Sequence, residues 1–188
     1  MKILIAPDSF KGTLTAQEVY TFAVRLCDNE IDRDFERFDE DTLEELSKLF
    51  VGVSGGFDHQ WSARGQAARI YRTEVVREAS LTADGRPYCW LKGWAYLMRT
   101  EKNVDLITEI EGGIKKEGSV GFAASSVICS ICGTDNAKNY CRHWPGRTYE
   151  KEGGKQVCTF TLAGCNDAYE FSLVAVPAQK AAGTTKSY

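Results

Sequence analysis

The sequence predicts an α+β chain of mostly antiparallel strands with short flanking helices and a small Cys-rich insert. Three observations carry that prediction. Apolar and polar residues alternate from Glu18 to Cys27, two later segments place apolar residues at helical spacing before a glycine, and Cys129, Cys132, Cys141 and His143 bunch within one polar stretch. The 188 residues fit one domain spanning 1–188, and a hydrophobic content of 43% is enough for one sizeable core.

Taken in order, the chain opens with a short apolar run, Ile3 to Ala6, that reads as a strand and gives way to the turn-like Pro7, Asp8 and Ser9. From Glu18 to Cys27, Tyr20, Phe22, Val24 and Leu26 fall on one face and Thr21, Ala23 and Arg25 on the other, the pattern of a half-buried strand. After an acidic stretch, Asp41 or Thr42 is placed to cap a helix over 41–51, in which Leu43, Leu46, Leu49 and Phe50 recur at helical spacing. Gly52, Gly55 and Gly56 form a loop carrying Asp58 and His59 to the mouth of a strand over 69–76. The Asp84-Gly85 turn leads into an aromatic strand over 88–98, and a helix over 101–110 stops at Gly112-Gly113. Small and β-branched residues make 114–128 strand-like, the Cys-rich insert occupies 127–158, and strands are expected near 156–162 and 169–176.

A net charge of -3, from 23 basic and 26 acidic residues, creates no field that draws the whole chain to nucleic acid, so a polyanion is not the expected partner. No apolar run approaches the roughly 18 residues of a membrane span, and the start MKILIAPDSFKG does not read as a signal peptide. With only two histidines, roles are constrained. His59, in GGFDHQWSARGQAARI, has the side chain best suited to take a proton from a hydroxyl near neutral pH. Ser119, in GSVGF, lies between Gly118 and Gly121, which permit close approach of another backbone.

Three blocks of the chain together resemble the prohead (capsid maturation) serine protease family of tailed bacteriophages: FDHQWSARGQAARI, EGSVGF and YEFSLVAVPAQKAAG, in that order. The resemblance runs from about Thr15 to the C-terminus. It implies a herpesvirus assemblin-like fold, a compact, mostly antiparallel β-barrel with flanking helices. It also implies a serine endopeptidase that cleaves scaffold and major capsid proteins, and itself, inside an assembling prohead in the host cytoplasm, with self-association as a further expectation. Carried over by residue, it makes Ser119 the nucleophile and His59 the general base, with Glu170 of the closing block orienting the imidazole. Asp58 is too near His59 along the chain to orient it. Gly118 departs from the family pattern, in which an aliphatic or β-branched residue precedes the serine, and is expected to loosen the nucleophile's strand. Backbone N–H groups near Gly121, Arg142 and Arg147 are the candidate oxyanion donors.

Cys129-x-x-Cys132 followed by Cys141-x-His143 has the spacing of a closed, tetrahedral, structural zinc site, with Cys158 an alternative to His143 as fourth ligand. His143 has a competing use, since the herpesvirus relatives take a histidine downstream of the serine as third triad member. Two rival readings stand beside the protease. One is a non-catalytic zinc-knuckle protein binding a capsid partner or nucleic acid, with Lys138, Arg142 and Arg147 in support. The other rests on MKILIAPDSFKGTLTAQEV, which is similar to the start of bacterial glycerate kinases but covers only the first residues and is followed by no phosphate-cradling glycine motif.

Overall fold

The computed structural model describes residues 2–3 and 14–185. β1 (Lys2–Ile3) pairs antiparallel with β2 (Leu14–Thr15). The remainder of the expected opening strand, to Ala6, and most of the glycerate-kinase-like start lie outside the described residues. β3 (Val19–Asp28) realises the alternation, burying Phe22, Val24 and Leu26 in the main core. After β4 (Glu36–Phe38) comes α1 (Glu40–Leu49). Its cap is Asp39 rather than the expected Asp41 or Thr42, because Asp39 stands where its carboxylate can accept from the Thr42 backbone N–H, at 2.9 Å. Leu43, Leu46 and Phe50 are fully buried on one stripe of this helix.

The Gly-rich segment predicted as loop contains β5 (Ser54–Phe57). β6 (Ala68–Leu81) and β7 (Pro87–Met98) then form a hairpin about the predicted Asp84-Gly85 turn, and α2 (Val104–Glu111) buries Ile107 and Ile110. β8 (Gly118–Cys129) is followed by the insert, which holds the small hairpin β9 (Thr148–Lys151) and β10 (Gly154–Val157). The chain closes with β11 (Phe160–Leu173) and β12 (Gly183–Thr185). The two strands expected at the C-terminal end are thus one. Register shifts between Cys165 and Asp167 and between Ala168 and Glu170 absorb the extra residues Asn166 and Tyr169, so pairing with β8 continues past a polar stretch that reads locally as a turn.

The expected closed barrel is not found among the described residues. The strands form a mixed, open, eight-stranded sheet in the order β12-β3-β7-β6-β5-β11-β4, with β8 on the other side of β11. β4 and β5 run parallel to β11, and the remaining pairs are antiparallel. The sheet's two ends approach at one isolated bridge, Glu117 with Gly183, flanked by the Thr184 N–H to Lys116 O bond of 2.7 Å. They do not extend into a ladder among the described residues, where β12 is three residues long and pairs with β3 on its other edge. No described helix is long and apolar enough to cross a membrane.

β11 is the strand on which everything near the candidate site is registered. Phe171, 1% exposed, fills space that its two neighbours leave open. A Cβ at Gly118 on β8 would stand 2.7 Å from its Cε2, and one at Gly55 on β5 would stand 3.3 Å from its Cδ1. The expectation that Gly118 loosens the serine strand is therefore corrected: glycine there admits the Phe171 ring and the close pass of Gly183. Gly118→Val, which restores a β-branched residue, is expected to cost about 1–3 kcal/mol through overpacking, read as a lowered urea midpoint.

Candidate functional site

Phe57 to Gln60 is a tight turn closed by the Gln60 N–H to Phe57 O bond of 3.0 Å. Its central residues, Asp58 and His59, both have left-handed backbones, with φ of 51° and 54°. Aspartate and histidine are among the few non-glycine residues enriched in that region, and two successive left-handed residues are what a type I′ turn requires. Asp58 thus has a conformational use, and its N–H extends the β5–β11 ladder to Leu173 O at 3.0 Å. The turn folds His59 over β11, where the imidazole Nδ1 meets Glu170 Oε1 at 2.5 Å. An ionised carboxylate only accepts, so Nδ1 carries the proton and Nε2 is left as the ring's acceptor.

Glu170 faces His59 because of the bulge at Tyr169. Ala168 opposite Phe122 packs on the core, while Glu170 opposite Gly121 points to the other face, an inversion that only an extra residue produces. The glycine at 121 is needed, since a Cβ there would stand 2.8 Å from Glu170 Oε1. Ser172, two residues on and hence on the same face, is 1% exposed. Its hydroxyl donates to Glu170 Oε2 and accepts from the His59 backbone N–H at 3.2 Å, tying the turn to the carboxylate. Sequence reading passed over Ser172, although Glu-x-Ser in a strand places both side chains on one face.

Ser119 is the antiparallel register partner of Ser172, which puts its half-buried side chain on the face of Glu170 and beside the His59 turn. Among the described residues no hydrogen bond joins the Ser119 hydroxyl to the imidazole, whose Nδ1 is bonded to Glu170. Arg142 stands between Cys141 and His143, which converge on Cys129, and Arg147 O accepts from Cys158 N–H at 2.8 Å, so both arginines sit at the Cys129 end of β8, away from Ser119.

At that far end, Cys129, Cys132, Cys141 and His143 converge, with their ligand atoms within 4.8 Å of one another. Cys129 Sγ and His143 Nδ1 are 3.7 Å apart, matching the edge of about 3.5 to 3.8 Å that a tetrahedral zinc with these ligands would have. These four residues could hold a metal ion. Asp135 shapes the loop by accepting from Val127 N–H at 2.9 Å and Ala137 N–H at 3.1 Å, and the first of these bonds is the main reason its carboxyl falls to about 2. Thr134, 3.2 Å from Cys132 Sγ, is the main cause that brings that thiol down to about 6, and Asn136 Nδ2 donates to Cys141 Sγ at 3.3 Å. Cys158 is fully buried with its Sγ 3.9 Å from that of Cys129, outside the mutually close four. His143 belongs with the cysteines and not with Ser119. Nine residues of β8 lie between Ser119 and Cys129, roughly 30 Å of strand.

Comparison with protein-family models, curated protein sequences and solved structures found no match. For the cluster, the expected outcome is about one bound metal ion per chain by plasma mass spectrometry, lost in His143→Ala and retained in Cys158→Ser. The reverse pattern would make Cys158, in place of His143, the fourth ligand.

Proposed function

We propose that the chain is a serine endopeptidase of the prohead maturation type. Ser119 is its nucleophile, His59 its general base and Glu170 the residue that holds the imidazole, acting on scaffold and major capsid subunits within an assembling prohead. The observation that carries this reading is the His59–Glu170 contact, made on the face of β11 that also carries Ser172, the register partner of Ser119. With Nδ1 committed to the carboxylate, Nε2 is free to take the serine proton and later return it to the leaving amine. Of the two serines, Ser172 is buried with its proton given to Glu170, whereas Ser119 is half-buried and its hydroxyl makes no hydrogen bond among the described residues, which favours Ser119 as nucleophile. Cys129, Cys132, Cys141 and His143 would hold a zinc ion in a structural role, since these four donors would leave it no open position for substrate or water.

A second reading, a zinc-knuckle binder without catalysis, is favoured by the exposure of Tyr140 and Trp144 beside the cluster. Co-expression with the capsid and scaffold subunits, followed by mass measurement of trimmed products, separates the two. Only the peptidase reading expects trimming that vanishes in Ser119→Ala while fold and metal are kept.

Glu170→Gln is expected to lower kcat by about 10³- to 10⁴-fold, since an amide can no longer enforce the Nδ1–H tautomer. Ser172→Ala is expected to lower kcat by about 10- to 100-fold with KM little changed, because the imidazole loses its register but no substrate contact is removed. Both are read in steady-state hydrolysis of a peptide spanning a mapped capsid cleavage site. Wild-type rates in Ser172→Ala would remove this serine from the positioning of His59.

A further inference from the structure

Beside Glu170 lies an open cleft of about 320 Å³, floored by Ser54, Gly55 and Gly56 and walled by Trp61 and Tyr169. Trp61 is 77% exposed and Tyr169 42% exposed, yet their rings stand 5.3 Å apart between centroids at a tilt of 53°. Such a paired, solvent-facing arrangement leaves aromatic surface in water that an apolar group could cover.

The two rings are mounted on the two halves of the His–Glu pair. Trp61 follows His59 by two residues on the same loop, and Tyr169 is the bulge residue that turns Glu170 outward. A side chain packed against this pair therefore belongs to a polypeptide whose backbone passes the imidazole within a residue or two, at about 3.3 Å per extended residue. The chemistry of the walls selects the occupant. Among the described residues that line the cleft Glu170 alone is charged, and its two oxygens are already engaged by His59 and Ser172. The rim offers the neutral amides and hydroxyls of Gln60, Ser62 and Gln66, suited to bonding a backbone. Across the His59 turn, a second cleft of about 380 Å³ is lined by Asp58, Lys115 and Glu117, so the charged and the aromatic sides of the site are distinct.

We infer that the cleft lined by the contacting rings of Trp61 and Tyr169 is a substrate subsite that takes a large apolar or aromatic side chain of an extended polypeptide. The identity of the occupant as substrate rests on the peptidase reading above. Trp61 and Tyr169 touch the substrate's side chain and set specificity, and they take no part in proton transfer.

The test uses full-length Ser119→Ala protein, so that ligands persist, and three blocked alanine pentapeptides with phenylalanine, lysine or aspartate at the centre. Binding is followed at the Trp61 indole N–H resonance, assigned by its loss in Trp61→Ala. In Tyr169→Ala and Trp61→Ala, affinity is measured calorimetrically. The expected result is that the phenylalanine peptide binds about 10-fold or more tightly than the other two, and that each substitution collapses the difference. Both residues are exposed, so both variants should keep the fold. Equal binding of the three peptides, a preference for lysine, no perturbation of the Trp61 indole by any of them, or a preference that survives both substitutions would each overturn the inference. An apolar preference with no hydrolysis of the phenylalanine peptide, or of capsid and scaffold subunits, by the native chain would sink the peptidase reading and leave a binding cleft.

Discussion

Everything near the candidate site depends on how the last four residues of β11 are gripped. β5 runs parallel on one side of them and β8 antiparallel on the other, and the Phe171 ring occupies the room that Gly55 and Gly118 provide. With Phe171 and Leu173 anchored in the core, Glu170 and Ser172 must point to the opposite face. The interior below them is close-packed, so that face has little freedom to rotate. The His59 turn is then fixed from outside by two bonds to the same strand, one from its backbone N–H to Ser172 and one from its ring to Glu170. A pair of left-handed residues is tolerated there because these bonds and the ladder bond of Asp58 over-determine the turn.

The β8–β11 hairpin divides its work between its ends. One end carries Ser119, Glu170 and Ser172, and the other is closed by Cys129 at the start of the metal cluster. Roughly 30 Å of paired strand lies between them, far beyond any direct coordination or screened charge effect. A metal at the cluster would thus act on the conformation of the insert, which has a single small hairpin, β9 and β10, and few buried apolar residues of its own. Cys158, buried beneath Cys129, packs as a small apolar group at that junction.

How much could be read beforehand differs by residue. β3, β7 and α1 were legible because their burial repeats at the period of the element itself, as Phe22, Val24 and Leu26 or Leu43 and Leu46 show. The cluster was legible because short spacing between soft ligands brings them together almost regardless of the rest of the fold. β5 was not, since Gly55 and Gly56 look like loop residues until the approach of Ala68, Gly65 and Phe171 is known. Nor was the continuity of β11, because Asn166 and Asp167 imitate a turn, and only the long partner β8 makes bulges the better solution. Glu170 was named through the resemblance of its block, whereas the serine two places on was not.

By itself, then, the sequence determined the local periods, the capping and turn signals, the metal-spaced cysteines and histidine, and the small set of residues able to do acid–base chemistry, all of which depend on neighbours close along the chain. The tertiary structure decided that the sheet stays open rather than closing, which face Glu170 presents, that His59 reaches it across more than a hundred residues, and that His143 stays with the cysteines. Those outcomes depend on register between distant strands. A bulge of one residue inverts every side chain after it, and no local pattern records which strand will be there to accept the inversion.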